Sequence, residues 1–114
     1  MRTVTLGVSS IEETKKQLAA ALRGEPVGEF IGFASVELLW KVLTAKRWEI
    51  LRAMTGQGEM TIREIARRVG RDVKAVHGDV QALLLAGVLD RAESGRVVFP
   101  YDAVRVDFTL SAAA

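Results

Sequence analysis

The chain has 114 residues, enough for one domain, and 49% of them are hydrophobic, which excludes wholesale disorder. It contains no cysteine and one histidine, His77, so disulfide scaffolds, thiolate zinc sites and clusters of imidazole ligands are excluded. The formal net charge is +2, and positive charge is concentrated over residues 41–81, which suggests a face that binds a polyanion.

The sequence of residues 1–43 predicts a strand, a helix, a second strand and a second helix, in that order. Residues 3–8 alternate polar and apolar side chains, as a half-buried strand does. A capping box at Ser10–Glu13 opens a helix that ends at Gly24. Glu29–Phe33 is the second strand, and Ser35 caps the next helix. The apolar faces, predicted to serve packing or self-association, include Ile11, Leu18 and Leu22 in the first helix and Leu38, Leu39 and Val42 in the second.

Three amphipathic helices are predicted next. The first covers residues 44–54, the second opens at the capping box Thr61–Glu64 and ends at Gly70, and the third runs from a cap at Asp72 to about Ala86. The residues predicted to face the core are Trp48, Leu51 and Met54 in the first, Ile62, Ile65, Ala66 and Val69 in the second, and Val76, Val80, Leu83 and Leu84 in the third.

A β-hairpin and a final strand are predicted after the third helix. Val88–Arg91 and Arg96–Phe99 form the two arms, and the turn Glu93–Gly95 places a glycine where a left-handed conformation is needed. Apolar and polar side chains then alternate over Val104–Leu110, which is typical of a strand with two different faces. The tail Ser111–Ala114 is predicted to be frayed.

This order of elements resembles the winged helix-turn-helix. Ile62–Gly70 is similar to the second helix and turn of such domains, where a small residue such as Ala66 lets two helices cross closely. Val76–Leu89 is similar to the recognition helix and the step that leads into the wing. The resemblance covers residues 44–99 and implies an α+β fold, with a strand-helix-strand extension before the winged helix-turn-helix and a strand after it.

The resemblance implies that the third helix enters the major groove of double-stranded DNA, where each base pair presents a distinct pattern of donors and acceptors. Gln81 can pair with an adenine edge, and Lys74 can donate to guanine or phosphate. Arginines near the turn suit phosphates, and Arg96 beside the wing tip suits the minor groove or the backbone. The predicted DNA-contacting residues are Arg63, Arg67, Arg68, Arg71, Lys74, Ala75, His77, Gly78, Gln81 and Arg96.

Several of these residues also have an ordinary structural explanation. The arginines of residues 63–68 can form a solvated helix face, His77 can be a surface residue with no ligand, and Gly78 can serve helix–helix packing. Trp40 and Trp48 lie in apolar helical surroundings and are predicted to be core residues rather than platforms for base stacking.

The whole chain resembles small prokaryotic transcriptional regulators, some of which are antitoxins that partner a toxin. Leu39–Trp48 and Phe99–Phe108 carry this closer likeness. The segments 1–43 and 100–114 have no partner within the winged helix of residues 44–99, so their edges and apolar faces are predicted to form a homodimer that represses transcription from a pseudo-palindromic operator. The alternatives are an antitoxin that neutralises a toxin and autoregulates its operon, a binder of structured RNA, and a small-molecule sensor.

Nothing in the sequence favours an enzyme. The carboxylates of Glu12 and Glu13 lie in surface-like contexts, and Gly56–Gly58 lacks the lysine of a phosphate-binding loop. No cofactor or metal is predicted. No apolar run approaches the length of a membrane span, so no membrane contact is predicted and a cytoplasmic protein is expected.

Overall fold

The computed structural model describes residues 1–9, 11–24 and 29–109 and has an α+β architecture, as predicted. The elements of these residues are β1 (Thr3–Val8), α1 (Ile11–Leu22), β2 (Glu29–Phe33), α2 (Val36–Val42), α3 (Ala45–Met54), α4 (Ile62–Val69), α5 (Val73–Leu85), β3 (Asp90–Arg91), β4 (Val97–Val98) and β5 (Ala103–Asp107). The predicted cap Ser10 and the predicted strand end and tail at 110–114 lie outside the described residues. Among these elements, none of the helices has the length and apolar character to cross a membrane.

Side-chain caps fix the beginnings of four helices. The capping residues of α2, α3, α4 and α5 are Ser35, Thr44, Thr61 and Asp72. Each accepts a hydrogen bond from a backbone N–H of the first turn, at 3.1 to 3.3 Å. Helix α4 ends at Gly70, as predicted, and Gly70 has the left-handed conformation with φ 68°. The other half of the predicted capping box behaves differently, because the Glu64 carboxylate accepts hydrogen bonds from two arginines of its own helix.

One hydrophobic core joins helices α2 to α5 to both sheets. Its largest fully buried side chains are Val4, Leu6, Leu39, Ile50, Leu51, Met54, Ile65, Val76, Val80, Leu83, Leu89 and Phe99. The residues predicted to face inward from α3, α4 and α5 are all buried or half-buried, so the periodicity of the sequence identified these faces correctly. Burial of each large apolar side chain contributes about 1.5 to 3 kcal/mol to the free energy of folding.

The strands near the two ends of the chain form one parallel sheet in the order β2-β1-β5. In the central strand β1, Thr3 pairs with Ala103 of β5 and Val4 pairs with Glu29 of β2. Gly7 permits the close approach of β5, because a Cβ atom at this position would lie 2.5 Å from the Asp107 carbonyl oxygen. The sequence presents the segments 1–43 and 100–114 as separate extensions, but their strands β1 and β5 pair with each other. A second, antiparallel sheet consists of β3 and β4.

Some residues of α1 and α2 that were predicted to pack inside are exposed. Trp40 is not a core residue as predicted: its side chain is 55% exposed and meets Phe108 edge to face, with ring centroids 5.7 Å apart. It follows the fully buried Leu39 by one residue, so the helical turn points it away from the core. In α1, Leu18 and Leu22 are also exposed, whereas α2 is the helix that packs on both β1 and β2. An apolar face can be identified from periodicity, but what covers it cannot.

Candidate nucleic-acid interface

Helix α5 turns its apolar side to the core and a polar side to solvent. Val76, Val80 and Leu83 are fully buried. The predicted outward residues of this helix, which are Lys74, Ala75, His77, Gly78 and Gln81, are all exposed. Because successive residues of a helix are about 100° apart, Lys74, Gly78 and Gln81 form one row along the exposed surface. The structure thus brings half of the predicted contact residues onto a single face.

Gly78 lies in the middle of that row. A Cβ atom added there would meet nothing within 4 Å, and Gly78 is not among the glycines with positive φ. Packing against another helix, the structural explanation given for this glycine, is therefore not found within the described residues. A glycine inside a helix costs roughly 0.5 to 1 kcal/mol relative to alanine. The fold itself gives no reason for this cost, and the space above Gly78 is open to a ligand or partner.

The turn between α4 and α5 is tied to α3 by a group of charges, the Asp79 cluster, which consists of Arg47, Arg71 and Asp79. The Arg47 Nε atom donates a hydrogen bond to Asp79 Oδ1 at 3.0 Å. The Arg71 Nη1 atom lies 2.9 Å from Asp79 Oδ2, an ion-pair contact outside hydrogen-bond geometry. Only 17% of the Arg71 side chain is exposed. Arg71 was predicted to contact phosphate, but its guanidinium lies against Asp79 of the same chain.

Burial of Asp79 on its own would raise the pKa of its carboxyl group, but the hydrogen bond from Arg47 and the contact with Arg71 outweigh it and hold the pKa below its usual value. The carboxylate is therefore ionised at neutral pH. Asp79 was not among the predicted residues. The signal was present in the sequence, because Asp79 is the single acidic residue of α5 and adjoins the inward-facing Val80. A carboxylate at such a position needs a cationic partner.

A second group of charges, the Glu64 cluster, lies on the surface of α4 and consists of Glu64, Arg67 and Arg68. Both arginines donate hydrogen bonds to the Glu64 carboxylate, and Arg68 Nη1 also donates to Gln57 Oε1 at 3.0 Å. These bonds hold the pKa of Glu64 below its usual value. The Arg67 side chain is 72% exposed, so its guanidinium can also reach an external anion.

The other predicted cations are Arg63, Lys74 and Arg96, which are exposed and make no ion pair with any described residue. Arg96 follows the tip of the β3–β4 hairpin. Gly95, at the tip, has φ +87°, as predicted for the turn, and its carbonyl oxygen accepts a hydrogen bond from Arg91 Nη1 at 2.8 Å. Arg96 therefore follows a turn that is stabilised by this hydrogen bond.

Comparison with known proteins gives one family. A family model described as HVO_A0114 matches residues 42–106, which is more than half of the chain. The matched segment begins at the last residue of α2, contains α3, α4, α5 and the hairpin, and ends within β5. No curated protein matches the chain.

Proposed function

This chain belongs to the HVO_A0114 family, and we propose that it is a winged helix-turn-helix protein that binds double-stranded DNA and represses transcription as a homodimer. In this proposal α4 and α5 are the helix-turn-helix, and the β3–β4 hairpin is the wing. One observation carries it: the exposed row of α5 has a glycine at its centre, which the fold does not need, between Lys74 and Gln81.

The chemistry of that row suits the major groove. With no side chain at Gly78, the α5 backbone can come close to the edges of the bases. Lys74, one turn earlier, can donate to guanine or to a phosphate, and Gln81, about one turn later, can bond an adenine through both its amide atoms. Ala75 and His77 flank the row, where a methyl group can contact thymine and an imidazole can donate or accept.

Phosphate contacts would come from the residues around the row. Arg63, Arg67 and Arg68 on α4 and Arg96 on the hairpin are exposed cations that can position the protein on the duplex. Arg71 has a different role in the proposal. Its contact with Asp79 joins the turn before α5 to α5, and the hydrogen bond from Arg47 to Asp79 holds α5 against α3, so the cluster fixes the angle at which the row is presented.

The experiment is fluorescence anisotropy with a labelled duplex from the region upstream of the protein's own gene, a scrambled duplex of equal composition, and a series of salt concentrations. We expect tighter binding to the upstream duplex and an affinity that falls steeply with salt. Gln81→Ala should relax the preference for the upstream sequence, whereas Lys16→Ala on helix α1, outside the proposed DNA-contacting residues, should bind like the wild type. Weak and equal binding to both duplexes would contradict the proposal.

The variant Gly78→Ala distinguishes an effect on the stability of the fold from an effect on DNA binding. There is room for the methyl group, so the free energy of unfolding should rise by about 0.5 to 1 kcal/mol in urea titrations. If DNA lies against the α5 backbone, affinity for the upstream duplex should fall at the same time. A variant that is more stable and binds the duplex like the wild type would show that α5 does not approach DNA at this point.

A further inference from the structure

Strand β5 is an edge strand, since no strand of the described chain pairs with its outer side. The Ala103 N–H donates to the Arg2 carbonyl oxygen on the β1 side at 3.3 Å. Backbone groups alternate in direction along a strand, so Arg105 and Asp107 also face β1. The N–H and C=O groups of Val104 and Val106 therefore face the open edge.

Apolar side chains surround this edge. Trp40, Val106 and Phe108 are exposed, and Trp40 meets Phe108 edge to face. Between α2, α3 and β5 runs an apolar groove of about 500 Å³, lined by residues that include Trp40, Trp48 and Val106. A neighbouring hollow of about 290 Å³ lies beside Val104. Exposed backbone groups next to exposed aromatic rings are a typical site for a further strand.

We propose that a second copy of this chain pairs with the edge, β5 antiparallel to β5, about a two-fold axis at Val106. This pairing is self-complementary. It sets each Arg105 directly opposite Asp107 of the second copy, Val106 opposite Val106, and Val104 opposite Phe108. The Phe108 ring of each copy can then fill the hollow beside Val104 of the other.

Charge and backbone direction select the same register. Val106 has both backbone groups on the open edge, so the Val106 pair exchanges two hydrogen bonds, and the Arg105–Asp107 pairs are the closely spaced ones. Within one chain, Arg105 and Asp107 make only a loose contact of 3.8 Å on exposed side chains, and both are free to turn to a partner. An axis at Arg105 or at Asp107 would set like charges opposite each other, which is destabilising.

This inference rests on the homodimer in the proposed function but not on DNA binding. Sedimentation equilibrium of the full chain tests it without DNA. The wild type should be in a monomer–dimer equilibrium. Each of the variants Arg105→Asp and Asp107→Arg places two pairs of like charges opposite each other in the dimer. Because both pairs change from attraction to repulsion, the dimer Kd should rise by about tenfold or more. The double variant restores opposite charges and should return the Kd to within a few-fold of the wild type. Lys16→Glu, a charge reversal on α1, is the matched control.

Three results would overturn the inference: a wild type that remains monomeric up to its solubility limit, single reversals that dimerise like the wild type, or a double variant that stays as weak as the singles. Circular dichroism of each variant shows that it is folded. Anisotropy on the upstream duplex separates the two proposals, because a dimer that binds no DNA removes the proposed function and leaves this interface standing. A monomeric chain that binds the duplex would remove this interface and the proposed homodimer and leave only the DNA binding standing.

Discussion

The Asp79 cluster and the Glu64 cluster have the same composition, one carboxylate and two arginines, and different structural positions. The Glu64 cluster joins residues of one helix, three and four positions apart, and its Arg67 is largely exposed. The Asp79 cluster joins α3, the turn before α5 and α5 itself, and Arg71 is mostly buried. The first leaves arginines available on the surface, and the second uses them to hold helices together.

The difference shows that exposure and chain separation, rather than residue type, decide what an arginine does here. An exposed pair on one helix stabilises a protein very little, because water already solvates both charges. A part-buried pair between helices has lost that solvation, so removal of one partner leaves the other poorly compensated.

The largest effect is expected from Asp79→Asn. The variant leaves two part-buried arginines facing a neutral amide, so the free energy of unfolding should fall by about 1 to 3 kcal/mol in urea titrations at neutral pH. Glu64→Gln is the matched control and should leave the unfolding midpoint nearly unchanged. Equal losses for the two variants would mean that the clusters do not differ in the way their positions indicate.

A smaller effect, confined to acid, should follow from the low pKa of Asp79. A carboxyl group whose pKa is lower in the folded than in the unfolded chain stabilises the fold above its unfolded pKa of about 4, and this stabilisation is lost as the pH falls through the folded value. The difference in unfolding free energy between wild type and Asp79→Asn should therefore be constant near neutrality and shrink below about pH 4. A difference that persists unchanged at lower pH would assign it to packing rather than to charge.

Glu64→Gln is expected to change stability the least and to increase the affinity for DNA. The substitution removes a negative charge and releases Arg67 and Arg68 from their shared carboxylate, so both can contact phosphates. Affinity for the upstream duplex should rise several-fold at low salt, and the salt dependence should become steeper by roughly one phosphate contact. Unchanged affinity in the anisotropy titration would show that α4 does not lie near the duplex.

The helical part of the fold was predictable because its signals are local. Thr44, Thr61 and Asp72 cap helices with their own nearby backbone, and apolar spacing identified the buried faces of α3, α4 and α5. The exposed row of α5 follows from the same spacing. The burial of Arg71 does not follow from this spacing, because Arg71 lies in the turn before α5, where helical periodicity does not apply.

The parallel sheet could not be predicted for a similar reason. The alternating patterns of 3–8 and 104–110 each predict a strand, but neither pattern indicates that the two strands pair with each other. Their pairing joins residues a hundred positions apart, such as Arg2 and Asp102. Trp40 shows the same limit on a smaller scale, since its helix was predicted and the side on which it lies was not.

The central position of β1 also orders events during synthesis. β1 is made before β5 and can complete its sheet only after β5 has left the ribosome. In contrast, α3, α4 and α5 contact one another over short stretches of chain and can fold first. Until then, β1 has unpaired backbone groups along one edge. This strand contains Val4 and Leu6, which are fully buried in the folded protein. A product that stops short of β5 would keep its helices and display an apolar strand edge, a form prone to aggregate.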